Sequence, residues 1–238
     1  MDINQYNGKY VRIKDKWGKI FEGRVEYGNA DFLECEWGGE EDGLFMNDFL
    51  IYNSDIESIE EIKGHGTIEL WTENLILRRY KKADAKDLYE RIGKDPSSFE
   101  YSGWNPYATK EMAKETVRRF IASYKDEHVY SWVMDWEDIL VGTIGAYDYE
   151  NDQIEVGFTV ANGWRGRGFA SEALKAVVEY LSENEEIPCI IAWCASDNIA
   201  SAKTLEKAGM RYVRTEKDSL QAGEKTYDKL IYEYRKQS

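Results

Sequence analysis

Trp164-Arg165-Gly166-Arg167-Gly168-Phe169-Ala170 decides how this chain is read. It follows a strand-like segment, Ile154-Glu155-Val156-Gly157-Phe158-Thr159-Val160. It leads into a helix-like one, Ser171-Glu172-Ala173-Leu174-Lys175-Ala176-Val177-Val178-Glu179-Tyr180-Leu181. A strand, a glycine-bearing basic turn and a helix start make an anion site. Glycine lets the backbone approach closely, the free N–H groups of the first helical turn point outward, and the helix dipole favours negative charge. A phosphate- or pyrophosphate-bearing ligand is the reading that follows.

Arg165-Gly166-Arg167-Gly168-Phe169-Ala170 fits the Arg/Gln-x-x-Gly-x-Gly/Ala signature, and Phe158-x-Val160 precedes Arg165 at a matching distance. Downstream, Asn198-Ile199-Ala200-Ser201-Ala202-Lys203-Thr204-Leu205-Glu206-Lys207-Ala208-Gly209-Met210 resembles an Asn-x-x-Ser…Glu-Lys-x-Gly-Phe motif. In both segments, and in their order, the chain resembles the GNAT superfamily of acyl-CoA-dependent N-acetyltransferases, over about residues 67–236. The Asn-x-x-Ser form is similar to the subgroup containing the ribosomal-protein alanine N-acetyltransferases.

The bulk properties narrow the function classes. The 238 residues are 42% hydrophobic, enough for a packed core in one large domain or two small ones. The formal net charge of −14 weighs against nucleic-acid binding, which needs a basic face. Cys35, Cys189 and Cys194 lack metal-ligand spacing, so reduced thiols and no metal site are the reading. No apolar run approaches membrane-spanning length and no signal segment opens the chain, which points to a cytoplasmic protein without a membrane partner.

Residues 1–62 and 68–238 differ in pattern, with 63–67 as a linker hinged at Gly64-His65-Gly66. Short alternating segments at 10–13, 20–27, 31–37 and 49–52, separated by Gly28-Asn29, Gly38-Gly39 and Asn53-Ser54, predict a small all-β barrel. It resembles an Sm-like or SH3-like barrel, with Gly18–Val25 similar to the first Sm motif. Seven Lys and Arg against fifteen Asp and Glu in residues 1–63 favour a protein partner, or a structural appendage, over RNA. Residues 68–238 alternate strands and helices, which predicts an α/β (α+β) domain. Helices are predicted over 83–91 and after the Thr109 cap, the latter burying Met112, Val117, Phe120 and Ile121, and a hairpin turns at Trp136-Glu137-Asp138.

The resemblance implies the acyl-CoA N-acyltransferase fold, a mixed central sheet with two strands splayed apart, and acetyl-CoA in the splay as acyl donor. Its pantetheine arm would pair with Phe158, Thr159 and Val160, and its pyrophosphate would sit on Arg165, Gly166, Arg167, Gly168, Phe169, Ala170 and Ser171. Asn198 and Ser201 would contact the coenzyme, with Ser201 serving the thiolate. A tyrosine common in the family at this point is replaced by Leu205. Glu155 is the candidate base, with Asp148 a weaker one, and the Phe158 N–H the oxyanion donor. Tyr101, Trp104 and Tyr107 are candidate walls of the acceptor pocket or core residues. Cys194 reads as core, and His128 as a satisfied surface histidine. The acceptor is a primary amine, on a protein N-terminus or a small molecule, and the acidity suits a cationic one. An aminoglycoside- or polyamine-acetylating enzyme, a non-catalytic coenzyme A sensor and a homodimer are the alternatives left open.

Overall fold

The computed structural model of this chain describes residues 1–37, 39–46, 49–62, 66–103, 105–126 and 128–236. Gly64, His65 and Trp104 lie outside them, as do Gly38 and the side chain of Cys35.

The N-terminal module holds β1 (Tyr10–Asp15), β2 (Ile20–Arg24), β3 (Glu26–Gly28), α1 (Ala30–Trp37), β4 (Gly43–Met46), β5 (Phe49–Tyr52) and β6 (Ile56–Glu61). Two three-stranded antiparallel sheets, β2-β1-β6 and β3-β4-β5, share a core of Val11, Ile13, Phe21, Val25, Leu44, Met46 and Ile51. The compact β module is present, but among the described residues strand pairing does not close it into a barrel. Residues 31–37, expected as a strand, form α1. Asn29 caps it, its Oδ1 accepting from the Phe32 N–H at 2.8 Å, and this local cap outweighs the alternation that follows.

An eight-stranded sheet, ordered β13-β14-β12-β11-β10-β9-β8-β7, organises the rest. Its strands are β7 (Leu70–Trp71), β8 (Ile76–Arg78), β9 (Tyr130–Trp136), β10 (Ile139–Glu150), β11 (Gln153–Val160), β12 (Cys189–Ala195), β13 (Arg211–Ala222) and β14 (Lys225–Arg235). Neighbours run antiparallel except β11 and β12, which are parallel and joined through α4 (Phe169–Glu183). On α4, Ala173, Leu174, Val177, Val178 and Leu181 recur at helical spacing and are all buried against one sheet face, with Ile154, Val156, Ile190, Ala192 and Cys194. α5 (Ile199–Lys207) packs beside α4. The opposite face carries α2 (Asp84–Asp87), a π-helical turn over Leu88–Gly93, and α3 (Lys110–Ser123). Thr109 caps α3 through the Met112 N–H, while Met112 itself is 45% exposed, because it falls on the outer side of the helix.

The module and the sheet domain share packing. Tyr10 of β1 lies edge-on to Tyr180 of α4, ring centroids 5.2 Å apart, and belongs to the main core. Burial pushes its phenol up to about 12. Arg24 pairs with Glu179, and Phe49 meets Trp71 at 6.1 Å. The expected hinge is anchored at its last residue. The Gly66 N–H donates to Glu185 (3.0 Å) and its carbonyl accepts from the Tyr180 hydroxyl (2.7 Å). Thr67 is fully buried, its hydroxyl accepting from the Ser131 N–H at 3.0 Å.

Candidate functional site

The parallel pair β11–β12 is registered only through Gln153–Cys189, Ile154–Ile190 and Glu155–Ile191. Beyond that point both strands continue, to Val160 and Ala195, without pairing to each other. The result is a fork whose inner edges are backbone.

Register with β10 assigns the open groups. The Ala161 N–H donates to the Val141 carbonyl at 2.9 Å, and Thr159 and Gly157 stand opposite Thr143 and Gly145. Backbone groups of alternate strand residues point to opposite sides. Thr159 therefore turns its amide and carbonyl to β10, while Phe158 and Val160 turn theirs into the fork. The backbone edge left open on the fork side is therefore that of Phe158 and Val160.

The loop after β11 is shaped by two glycines in the left-handed region, Gly166 (φ 79°) and Gly168 (φ 89°). A Cβ at either would meet nothing within 4 Å, so it is the backbone path that calls for glycine. The first α4 bond outside the helix interior runs from the Glu172 N–H to the Gly168 carbonyl, 3.0 Å. Among the described residues, the amides from Gly166 to Ser171 have no backbone acceptor. Six consecutive free amides on a positive helix end fit a polyanion.

Arg165 turns its polar groups to neighbours within the chain. Its amide donates to the Asn162 carbonyl (3.3 Å). Its guanidinium bonds the Val160 carbonyl (3.1 Å), the Ser97 hydroxyl (3.2 Å) and carbonyl (3.3 Å), and the Ser98 hydroxyl (3.3 Å). It ties the loop to the strand end and to the 96–98 turn, so its side chain faces neighbours within the chain. Arg167 is exposed and lies over the Trp164 ring at 4.6 Å.

Glu155 stands at the last registered pair, half-buried, on the face away from α4. Its carboxylate accepts from the Trp193 indole N–H (2.9 Å), and the Tyr147 hydroxyl, across the strand pair, also favours its charged form. Its pKa is raised above the ordinary carboxylate value, first by burial, against those two groups and the charge of Lys229. Asp148 is exposed, at positive φ (55°) in an irregularity of β10.

Across the fork, Asn198 caps α5, its Oδ1 accepting from the Ser201 N–H at 3.1 Å. Leu205 is fully buried, so a side-chain acid there is replaced by core packing. Cys194 is 3% exposed and burial pushes its thiol up to about 11, which makes it core rather than a nucleophile. His128 is not satisfied as expected. Its Nδ1 is buried without a partner among the described residues, and its ring stacks on Tyr149 at 3.9 Å.

The aromatic candidates separate. Tyr101 packs edge-on against Tyr227, 5.4 Å away, in a cluster with Trp193 and Leu220. Tyr107 packs instead against Gly93 and Phe99, with α2 and α3. Both lie on the sheet face away from α4, but Tyr101 shares its cluster with Trp193, whereas Tyr107 packs among α2 and α3. Three side chains around Glu155 escaped the sequence reading: Tyr147, Trp193 and Lys229. Period-two alternation along β12 does put Trp193 on the face opposite Cys194, and that was the available signal.

Among the described residues no group of three or more His, Cys, Asp or Glu could hold a metal, and no helix is long and apolar enough to cross a membrane.

Residues 74–211 match the family model described as acetyltransferase (GNAT) domain. The uncharacterized N-acetyltransferase YnaD of Bacillus subtilis (strain 168) is 27% identical over 166 residues, 69% of this chain and 95% of its own length. The ribosomal-protein-serine acetyltransferase of Escherichia coli (strain K12) is 24% identical over 142 residues, 58% of this chain and 79% of its own. Among solved structures, RimL, a ribosomal alpha-N-protein acetyltransferase in complex with coenzyme A, superposes with a TM-score of 0.64 at 17% identity. That superposition covers 69% of this chain and 95% of RimL.

Proposed function

This chain belongs to the GNAT family of acetyltransferases, and from that premise we propose that it moves the acetyl group of acetyl-CoA directly onto a protein N-terminal amine. The observation that carries the reading is the Glu155 carboxylate, held at the mouth of the fork on the face where Tyr101, Tyr227 and Trp193 gather. Two of the relatives are named for ribosomal-protein acetylation, which favours an N-terminus over a small amine.

Acetyl-CoA supplies the acetyl group as a thioester. The Phe158 groups and the Val160 N–H take its extended arm, the Val160 carbonyl being held by Arg165, and the amides from Gly166 to Ser171 take its pyrophosphate. Glu155 accepts the proton of the acceptor ammonium, and burial, by raising its pKa above the ordinary carboxylate value, makes it a better base. The Phe158 N–H donates to the carbonyl oxygen as it gains charge. The attacking nitrogen loses its second proton as the amide forms, and the Ser201 hydroxyl relays that proton to the departing sulfur, while Asn198, its Oδ1 used in capping, offers its Nδ2.

Thiol release from acetyl-CoA tests the reading, with peptides bearing free or blocked N-termini, polyamines and aminoglycosides as acceptors. Turnover is expected on free-N-terminus peptides and is lost when the terminus is blocked. Turnover confined to polyamines or aminoglycosides would replace the acceptor class. Thioester binding without turnover on any amine would make the protein a coenzyme A sensor.

A further inference from the structure

We propose that Tyr147, Trp193 and Lys229 are positioning residues that form a ladder across four strands and hold the Glu155 carboxylate at the fork. The proposal rests on the reading of Glu155 as the group that takes the acceptor's proton.

The geometry starts from where pairing ends. Glu155 and Ile191 are the last registered residues of β11 and β12, and Trp193 lies two residues further along β12. Residues two apart on a strand share a face, so Trp193 stands on the Glu155 face where the strands have already parted. Its indole N–H spans the parting to reach Glu155 Oε1 at 2.9 Å. From the other side, Tyr147 is the cross-strand partner of Glu155 on β10, and its hydroxyl acts on the same carboxylate. That phenol lies over Gly157, where a Cβ would stand 2.6 Å from the hydroxyl, so the lack of a side chain there makes room for it. The fourth rung is Lys229 of β14, whose ammonium sits 4.4 Å from the centre of the Trp193 ring.

The ladder has a chemical consequence beyond orientation. Two donors and a nearby ammonium favour the ionised carboxylate, while burial and Asp148 oppose it. The groups facing Glu155 are thus Tyr147 and Asp148 from β10, Trp193 from β12 and Lys229 from β14. Removing a donor or the ammonium raises the pH at which the carboxylate becomes able to accept a proton.

The experiment is the pH profile of kcat/KM for the full chain, with acetyl-CoA and a free-N-terminus peptide, in Trp193→Phe, Tyr147→Phe, Lys229→Met, Lys229→Arg and Glu155→Gln. The first three are expected to move the acid limb upward by about 0.5–1 pH unit, and Lys229→Arg to keep it in place. Glu155→Gln is expected to abolish the limb and lower kcat by about 100-fold or more. If Glu155→Gln abolishes the limb but the first three leave it unmoved, the ladder is wrong and the base stands. If the limb survives Glu155→Gln, the base reading fails and takes the ladder with it. Tyr147 and Lys229 lie on separate strands from Trp193, so poor folding of one variant leaves the others to decide.

Discussion

Arg165 donates from Nε to the carbonyl of Val160, 3.1 Å away, so the first arginine of the loop closes the last outward acceptor of the strand that precedes it. Three more bonds reach the 96–98 turn. Arg165→Ala releases both ties and blurs the position of the following amides. The expected outcome is about a tenfold rise in KM for acetyl-CoA with kcat less affected, measured by steady-state kinetics. Arg165→Lys, with no planar fork, recovers only part of it.

Gly168 combines a φ of 89° with open space around its missing Cβ. Gly168→Trp therefore costs about 1–2 kcal/mol in backbone strain without a clash in the core. Its ring lies where an anion would meet the amides. In a thermal-shift measurement, acetyl-CoA at about 100 times its Kd stabilises the wild type by roughly 2.7 kcal/mol. The variant is expected to remain folded and lose that gain. An undiminished shift would move the pyrophosphate elsewhere.

The guanidinium of Arg78 is almost buried. It is forked onto Asp84 at 2.9 and 3.0 Å and bonded to Asp135 at 2.6 Å. It joins β8 and β9 to the start of α2. Asp84→Ala leaves this charge short of a partner in a dry setting, and the expected loss is about 3–5 kcal/mol in urea unfolding. A loss below about 1 kcal/mol would mean that water replaces the carboxylate.

Burial is the main reason that the Glu155 pKa lies above its ordinary value. The folded state then holds this proton more tightly than the unfolded chain. Below the unfolded pKa, about 4.3, both states are protonated and the site costs nothing. As pH rises through the folded pKa, the carboxylate destabilises the fold. Glu155→Gln is thus expected to match the wild-type Tm near pH 4 and exceed it at pH 8. A constant difference across that range would show that ionisation is not its source.

The elements that follow from local chemistry were legible in the sequence. The apolar stripe of α4 has a period that only a helix satisfies, and Thr109 opens α3 as its side chain predicts. Glycines at 166 and 168 marked a loop whose backbone path calls for them. The misreading of 31–37 came from treating Gly28-Asn29 as a turn, when the asparagine was a helix cap. What was illegible depends on register between distant strands. Thr159 and Phe158 are equivalent in sequence, and only pairing with β10 decides which faces the fork. The surroundings of Glu155 come from β10, β12 and β14, and the inward turn of Arg165 depends on a loop near residue 97.

The edge-on contact between Tyr10 and Tyr180 also sets an order of events during synthesis. The first strand of the chain shares its core with a helix made 170 residues later. At about 5–20 residues per second, the N-terminal module waits roughly ten to thirty seconds on the ribosome before that ring finds its partner. Until then Tyr10 is uncovered, and the nascent module is a client for chaperones. Release of a chain truncated before α4 would leave that surface open for good.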